Sequence, residues 1–454
     1  MDGSVAVFDV GKTNLKLLVF DRDGKVVAEQ AEINAPLPPD ARWPYLRLDT
    51  ERAWSFFLRS LRELGAAQPI EALIVTTHGA SGVLVTDDGA ALPPIDYEFD
   101  GFSRVDAAYD ALRPPFEESQ SPLSARGLNL GRQIFYFEQN FPRAFEAARA
   151  FLAYPQYWSF RLSGVLATEV TSLGAHTDLW RPNEGRLSSL VERANWTRLF
   201  PPVRKAWEKL GALKKEVAAA TGAPEVPVLC GAHDSNASLV PYLASRADPF
   251  TVVSTGTWAI LMAVGGKGRI DEKADMLSNV DILARPVPTA RLMLGREFSV
   301  LAGDHPAEAR EADVAAVVAS GVMAVPAFTD QGGPFAGRKG FIEGAPPTAP
   351  DGRAALATLY AALMTATMLG RLEAPGDVIV EGGFNRSPAF AGVLAALMPG
   401  RTVLIAAASG AAEGAATLAR WGEPHAPPKA AAAKAWDVPG LAEYAERWCR
   451  ALPR

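Results

Sequence analysis

Cysteine is almost absent from this chain: Cys230 and Cys449 are the only two in 454 residues. Two thiols so far apart exclude a disulfide scaffold, fit a reduced compartment and leave too few soft ligands for a structural zinc site. Positive charge is not in excess either. With 45 Lys and Arg against 51 Asp and Glu, the net charge is −6, which argues against a nucleic-acid partner, whose phosphates call for a basic stripe. No apolar run approaches the roughly 18 residues of a membrane span, so no membrane partner is expected. From Asp2 the chain passes straight into a strand-like pattern, which predicts no signal peptide and a cytoplasmic location. Two familiar nucleotide signatures are missing as well: there is no Gly-x-x-x-x-Gly-Lys-Ser/Thr, and no Gly-x-Gly-x-x-Gly after a strand, which makes P-loop and Rossmann sites weak readings.

What is present is the composition of a folded protein, 48% apolar and 21% charged, at a length that predicts two or three domains. Apolar strands and helical spacings alternate, as in an α/β protein. Val5 to Phe8, Leu15 to Phe20 and Val26 to Ile33 read as three strands joined by tight turns. The first turn, Asp9-Val10-Gly11-Lys12-Thr13-Asn14, holds more functional groups than a turn needs. The second, Asp21-Arg22-Asp23-Gly24, resembles the start of a phosphatase, but Asp-Gly is also a common hairpin turn and that reading is preferred. Arg52 to Leu64 has helical spacing. Ile70 to Thr76 is a buried strand running into Thr77-His78-Gly79, where ligands bind in α/β sheets. Aromatics between 135 and 160 read as core helices. Thr168 to Asp178, with His176 and Asp178, could line a cleft. Lys205 to Ala220 reads as one amphipathic helix and Arg269 to Asp281 as a polar loop. Later come a long helix over 354–369, a strand over 377–380, a helix capped by Ser387-Pro388, a strand over 401–406 and the small-residue helix 411–421. Pro424 to Ala435 reads as a surface connector.

The most informative stretch runs from Leu229 to Trp258. Gly231-Ala232-His233-Asp234 puts an acid on a Gly-flanked loop with no Lys or Arg beside it, which suggests a base. Val252-Val253-Ser254-Thr255-Gly256-Thr257 is a strand followed by a turn whose hydroxyls and N–H groups suit phosphate. This second turn is of the same kind as the one at Asp9: each is a strand, a Gly-centred turn with hydroxyls, and a second apolar strand. A duplicated hairpin, one per domain, is the expectation.

Taken together, Asp9–Asn14, Thr77-His78-Gly79, Gly231–Asp234, Ser254–Trp258, Gly382–Pro388 and Ser409–Ala416 resemble, in order and spacing, the motifs of the FGGY family of carbohydrate kinases along most of the chain. The resemblance implies a two-domain actin-like (ribonuclease H-like) ATPase fold, each domain a mixed sheet flanked by helices. Residues 1–240 would form the sugar-binding domain with the catalytic base, and 241–454 the nucleotide-binding domain. ATP and Mg²⁺ are the implied cofactors, a small-molecule sugar the substrate, and a homodimer one possible assembly. Asp234 would be the base. Asp9 would hold Mg²⁺ through water, with Asp234 a second metal candidate. Gly11, Lys12, Thr13, Asn14, Thr255, Gly256, Thr257, Gly382, Gly383, Asn385 and Gly410 would contact the nucleotide; Lys12 could equally point to solvent. His78, Gly79, Tyr97, Glu98, Gln156 and Asp234 would face the sugar. Thr76–Gly79 and Ser254–Met262 are most like members acting on L-fuculose or L-rhamnulose. The chain departs from the family's common pattern at Ala80-Ser81, at Tyr97–Gly101 and at Asp330–Pro334. The first two departures fall where the sugar should sit, so a xylulose, ribulose or polyol kinase stays open. So does a non-catalytic sugar sensor of the same fold.

Overall fold

The computed structural model describes residues 3–247, 249–303, 306–330, 332–407 and 410–453. Alternation drives its first element. On the strand Ser4–Val10, Val5 and Val7 join one buried cluster and Ala6, Phe8 and Val10 another, as successive side chains of a strand must when both faces are covered. One cover is built from the helices Thr50–Ala67 and Tyr154–Ser163, through Phe57 and Trp158. The other is the helix Ala411–Ala419, through Ala412, Ala415 and Leu418.

That helix comes from the far end of the sequence, so the compact units are not consecutive halves. One unit is Met1–Arg246, Ser278–Pro286 and Ser409–Pro427; the other is Ala247–Leu277, Val287–Ala408 and Pro428–Arg454. The small residues of Ala411–Ala419 serve backbone packing. A Cβ on Gly414 would lie 1.8 Å from the carbonyl oxygen of Ala237, a distance no side chain can occupy.

The sheet of the first unit runs in the order Lys209–Ala212, Pro227–Leu229, Ile70–Thr77, Ser4–Val10, Asn14–Phe20, Val26–Ile33, with Ala232–His233 also pairing with Ile70–Thr77. Ser4–Val10 is antiparallel to Asn14–Phe20 and parallel to Ile70–Thr77. The second unit repeats this: Phe250–Thr255 is antiparallel to Ala259–Val264 and parallel to Asp377–Gly382. The two Gly-centred turns therefore cap equivalent hairpins, each beside a parallel third strand. Helix Pro350–Arg371 is buried along most of its length and anchors the core of the second unit.

Several sequence expectations need correction. Lys205 to Ala220 is not one helix: Lys209–Ala212 is a strand antiparallel to Pro227–Leu229, and only Lys215–Thr221 is helical. An open sheet edge outweighed a helical apolar spacing already weakened by Gly211. Arg269 to Asp281 is not all loop, because Met276–Val280 is a buried strand. The connector from Pro424 contains the strand Ala430–Ala432, paired with Val403–Ala406. Asp178 lines no cleft; it is buried against Arg113 Nε at 3.0 Å and Tyr109 Oη at 2.6 Å. Asp21 is spent on its turn, its Oδ1 accepting from the N–H groups of Asp23 and Lys25 at 3.0 and 2.9 Å, which favours the hairpin reading over the phosphatase one. Among the described residues no helix is long and apolar enough to cross a membrane.

Candidate active site

In the first unit three neighbouring parallel segments end together. Asp9 is in register with Thr76, and Ala232 and His233 flank Thr76 and Thr77 on the other side. The register brings Asp9, His78 and the loop of Asp234 to one edge, the carboxyl ends of parallel strands.

The loop of Asp234 is heavily supported. Gly231 has φ +79°, and a Cβ there would lie 2.3 Å from Val75 O, so glycine is required on both counts. Gln156 Nε2 donates to Cys230 O and Gly231 O at 3.2 and 3.1 Å, and Ser159 Oγ donates to Leu229 O and Cys230 O at 3.1 and 3.0 Å. The buried Glu169 carboxylate accepts from the N–H and hydroxyl of Thr171, whose oxygen accepts the N–H of His233 at 3.1 Å. His233 Nδ1 faces Asn236 Oδ1 at 2.7 Å, and Asn236 Nδ2 donates to Val280 O at 2.7 Å. Asp234 itself opens the short helix Asp234–Ala237; its Oδ1 accepts the Ser235 N–H at 2.6 Å. One carboxylate oxygen is thus held by the backbone of its own loop.

Asp9 is the perturbed acid. Burial first, and the nearby Asp234 carboxylate second, push its pKa up to about 7. Two carboxylates that repel one another at a buried edge form a place that a cation would relieve. Among the described residues no group of three or more His, Cys, Asp or Glu gathers as a metal cage. One or two carboxylates with water and phosphate oxygens suit Mg²⁺, so the residues present fit that ion.

His78 is the clearest candidate for a sugar hydroxyl. Its Nδ1 is 3.0 Å from Gly79 O, and burial lowers its pKa, so the ring is neutral with the proton on Nδ1. Nε2 is then a bare acceptor, buried and without a hydrogen-bond partner. The Tyr97 and Tyr154 rings lie 5.8 and 5.3 Å from it, and burial raises the Tyr97 phenol to about 12. Gly79 provides room, since a Cβ there would lie 2.4 Å from His233 Nε2. Gln156 has a different part from the one expected: its amide nitrogen carries the base loop, and only its buried Oε1 is left without a partner.

In the first turn, the Gly11 N–H closes onto Asn14 O at 2.9 Å. Thr13 is exposed, and its hydroxyl oxygen accepts from Asn14 Nδ2 at 3.0 Å, leaving its hydrogen to donate outward. Lys12 does not join Thr13: its ammonium is ion-paired with Asp96 and lies 3.4 Å from Glu98.

The second unit holds a cavity of about 590 Å³ lined by Thr255, Gly256, Gly295, Phe298, Gly383, Phe384 and others. Its size suits a nucleotide. Thr255 has a structural task instead of the free hydroxyl expected of it. Its Oγ1 donates to Glu381 O and accepts the Phe384 N–H, while the Gly256 N–H closes onto Trp258 O at 2.7 Å. Thr257 is exposed and is the hydroxyl of this turn that reaches solvent. Asn385 Nδ2 donates to Ala406 O at 3.0 Å, which also commits one of its two ends. Gly410 belongs to the other compact unit, at the start of the helix Ala411–Ala419; Ser409 and Gln331 lie outside the described residues. Gly295, Phe298 and Ser299 went unnoticed in the sequence, although the helix they occupy, Leu294–Ala302, is amphipathic. Gly295 abuts the second turn so closely that a Cβ would lie 2.1 Å from Gly256 O.

Gly382 joins the turn to this cavity. It has φ +79°, and a Cβ would lie 2.0 Å from Thr255 O. Gly382→Ala is expected to cost about 2–4 kcal/mol of stability and to weaken nucleotide binding about tenfold or more. Chemical denaturation and a fluorescent ATP-analogue titration check this; unchanged nucleotide affinity would detach the strand Asp377–Gly382 from the nucleotide site.

Comparison with known proteins agrees with this geometry. The model of the FGGY family of carbohydrate kinases, N-terminal domain, matches residues 4–241, and that of carbohydrate kinase FGGY, C-terminal domain, matches 247–428. L-fuculokinase of Salmonella typhi is 28% identical over 271 residues, 58% of this chain and 57% of that protein, so the chain matches a little over half the length of such curated relatives. The crystal structure of a carbohydrate kinase from Novosphingobium aromaticivorans is 34% identical, with a TM-score of 0.91 over 99% of this chain and 98% of that one. Xylulose kinase from Rhodospirillum rubrum, 20% identical with a TM-score of 0.79 over 98% and 97%, shares the fold, a two-domain actin-like arrangement of mixed sheets flanked by helices. With both family models matched in order and a relative similar along its whole length, the chain belongs to the FGGY family of carbohydrate kinases.

Proposed function

We propose that the protein transfers the γ-phosphoryl group of ATP to a hydroxyl of a neutral ketose, such as L-fuculose or L-rhamnulose. The observation that carries this reading is the meeting, at one sheet edge, of Asp9, Asp234 and the unpartnered acceptor His78 Nε2. Asp234 orients the hydroxyl and takes its proton. Because phosphoryl transfer is loose and largely dissociative, that proton leaves late and an ordinary carboxylate suffices. His78 Nε2 accepts from a second hydroxyl and fixes the ring, so that positioning supplies much of the rate. Thr257 donates to the phosphates from the second unit's turn, and Thr13 is the corresponding exposed hydroxyl of the first unit's turn. Asp9, with Asp234 beside it, would hold Mg²⁺, which when bound screens the phosphate charge.

The test is ADP release with a panel of ketoses, polyols and aldonates, with and without Mg²⁺. Sugar-dependent ADP release that requires Mg²⁺ is the expected result. Nucleotide binding with no sugar-dependent release from any of them would sink the kinase reading in favour of a sensor.

A further inference from the structure

Lys12 stands in the first phosphate turn, between Gly11 and Thr13, yet its charge is engaged elsewhere. Three consecutive residues surround its ammonium. Asp96 Oδ2 is ion-paired with it, Glu98 Oε2 is 3.4 Å away, and the Tyr97 ring centroid is 4.8 Å away. The Asp96 side chain is fully buried. Its second oxygen accepts the Glu98 N–H at 2.9 Å, so the same carboxylate binds Lys12 and shapes the turn that presents Tyr97 and Glu98. Tyr97 in turn meets His78 edge-on at 5.8 Å, and Gly127 N–H fastens its carbonyl at 3.0 Å.

From this arrangement we infer that Lys12 is a positioning and specificity residue for the acceptor sugar, and not a contact to the nucleotide. The inference rests on the kinase reading for the identity of the acceptor and deepens it. To reach a phosphate, the ammonium would have to abandon a buried carboxylate, which is costly because Asp96 would keep only the Glu98 N–H and lose its cation. Held where it is, Lys12 pins Glu98 and the Tyr97 ring, and that ring in turn meets His78. The half-exposed Glu98 and His78 Nε2 both accept hydrogen bonds, which suits the hydroxyl donors of a sugar.

The same groups also restrict the ligand. The Lys12 ammonium is already engaged by Asp96 and Glu98, and His78 Nε2 is an acceptor. A sugar carboxylate would meet hydrogen-bond acceptors here in place of donors, so the site takes neutral polyhydroxy sugars and rejects aldonates.

The test compares wild type with Lys12→Met and Lys12→Arg by calorimetric titration with neutral ketoses and one aldonate, by fluorescent ATP-analogue binding, and by ADP release. Lys12→Met is expected to weaken neutral-sugar binding about tenfold or more while nucleotide affinity stays within about twofold, and Lys12→Arg to recover most of the loss. The aldonate is expected not to bind wild type. Should Lys12→Met misfold, the double variant Lys12→Met/Asp96→Asn removes both charges and keeps the acceptor for Glu98 N–H; it is expected to fold and still bind sugar weakly. The inference is overturned if Lys12→Met weakens nucleotide and spares sugar, if neither affinity changes, if the double variant binds sugar like wild type, or if no ketose binds wild type. Sugars that bind but release no ADP would defeat the kinase reading alone, because the two binding titrations still decide the place of Lys12.

Discussion

Asp234→Asn is expected to lower sugar-dependent ADP release by about 10²–10⁴-fold, the usual contribution of a positioned base. The substitution keeps the shape of the side chain, and Asn can still accept the Ser235 N–H that holds Oδ1 at 2.6 Å. The supports of the loop, from Gln156, Ser159 and Thr171, involve backbone groups of residues 229–233 and are untouched. A folded protein with an intact site edge but no proton acceptor is therefore the expected product. Nucleotide affinity should stay within about twofold, because the cavity beside Thr255 and Gly256 is lined wholly by residues of the second unit. Steady-state kinetics with an ATP-analogue titration on the same preparation check this. Turnover near that of wild type would remove Asp234 from the role of base.

The reach of sequence reasoning here follows from how local each feature is. The hairpin of Ser4–Val10 and Asn14–Phe20, and that of Phe250–Thr255 and Ala259–Val264, were legible because alternation, a Gly turn and a second apolar strand all lie within twenty residues. Ser387 was legible as a cap, and its side chain does accept the Phe390 N–H at 3.2 Å. Partners distant in sequence were not legible. Nothing in Gly11-Lys12-Thr13 reveals a buried Asp96 some eighty residues on, so Lys12 was grouped with the phosphates. Thr255 looked like a free hydroxyl because its partners, Glu381 O and the Phe384 N–H, lie more than a hundred residues away. Nothing local in the small residues of Ala411–Ala419 points to the close approach of Gly414 to Ala237 O, which lies far away in sequence. Lys205–Ala220 misled for the opposite reason: its local period was clear, but strand Pro227–Leu229 offered an edge that local pattern does not register.

Asp9→Asn is expected to stabilise the protein while impairing it. Folding moves the pKa of Asp9 from 3.8 up to about 7, chiefly by burial. The folded state therefore holds a proton that the unfolded state releases, and stability falls as pH rises across the window from about 4 to about 7. The full shift corresponds to about 4 kcal/mol lost by neutral pH. Asn carries no charge and escapes this loss. Its advantage over wild type should grow by about 3 kcal/mol between about pH 5 and pH 8, in buffers without divalent ions. Glu169 also has its pKa raised to about 7 by burial, but it is common to both proteins and cancels in the comparison. Mg²⁺ should then tell the two apart. A cation that stabilises the Asp9 carboxylate adds stability to wild type at pH 8 by mass action and adds less to the variant, where Asp234 alone remains. The same substitution should weaken the dependence of turnover on Mg²⁺-ATP while leaving sugar affinity within about twofold. Denaturation curves at the two pH values, each with and without Mg²⁺, measure both effects. If the difference between the proteins is the same at both pH values, Asp9 is an ordinary carboxylate. If Mg²⁺ stabilises the variant as much as wild type, the ion is held elsewhere.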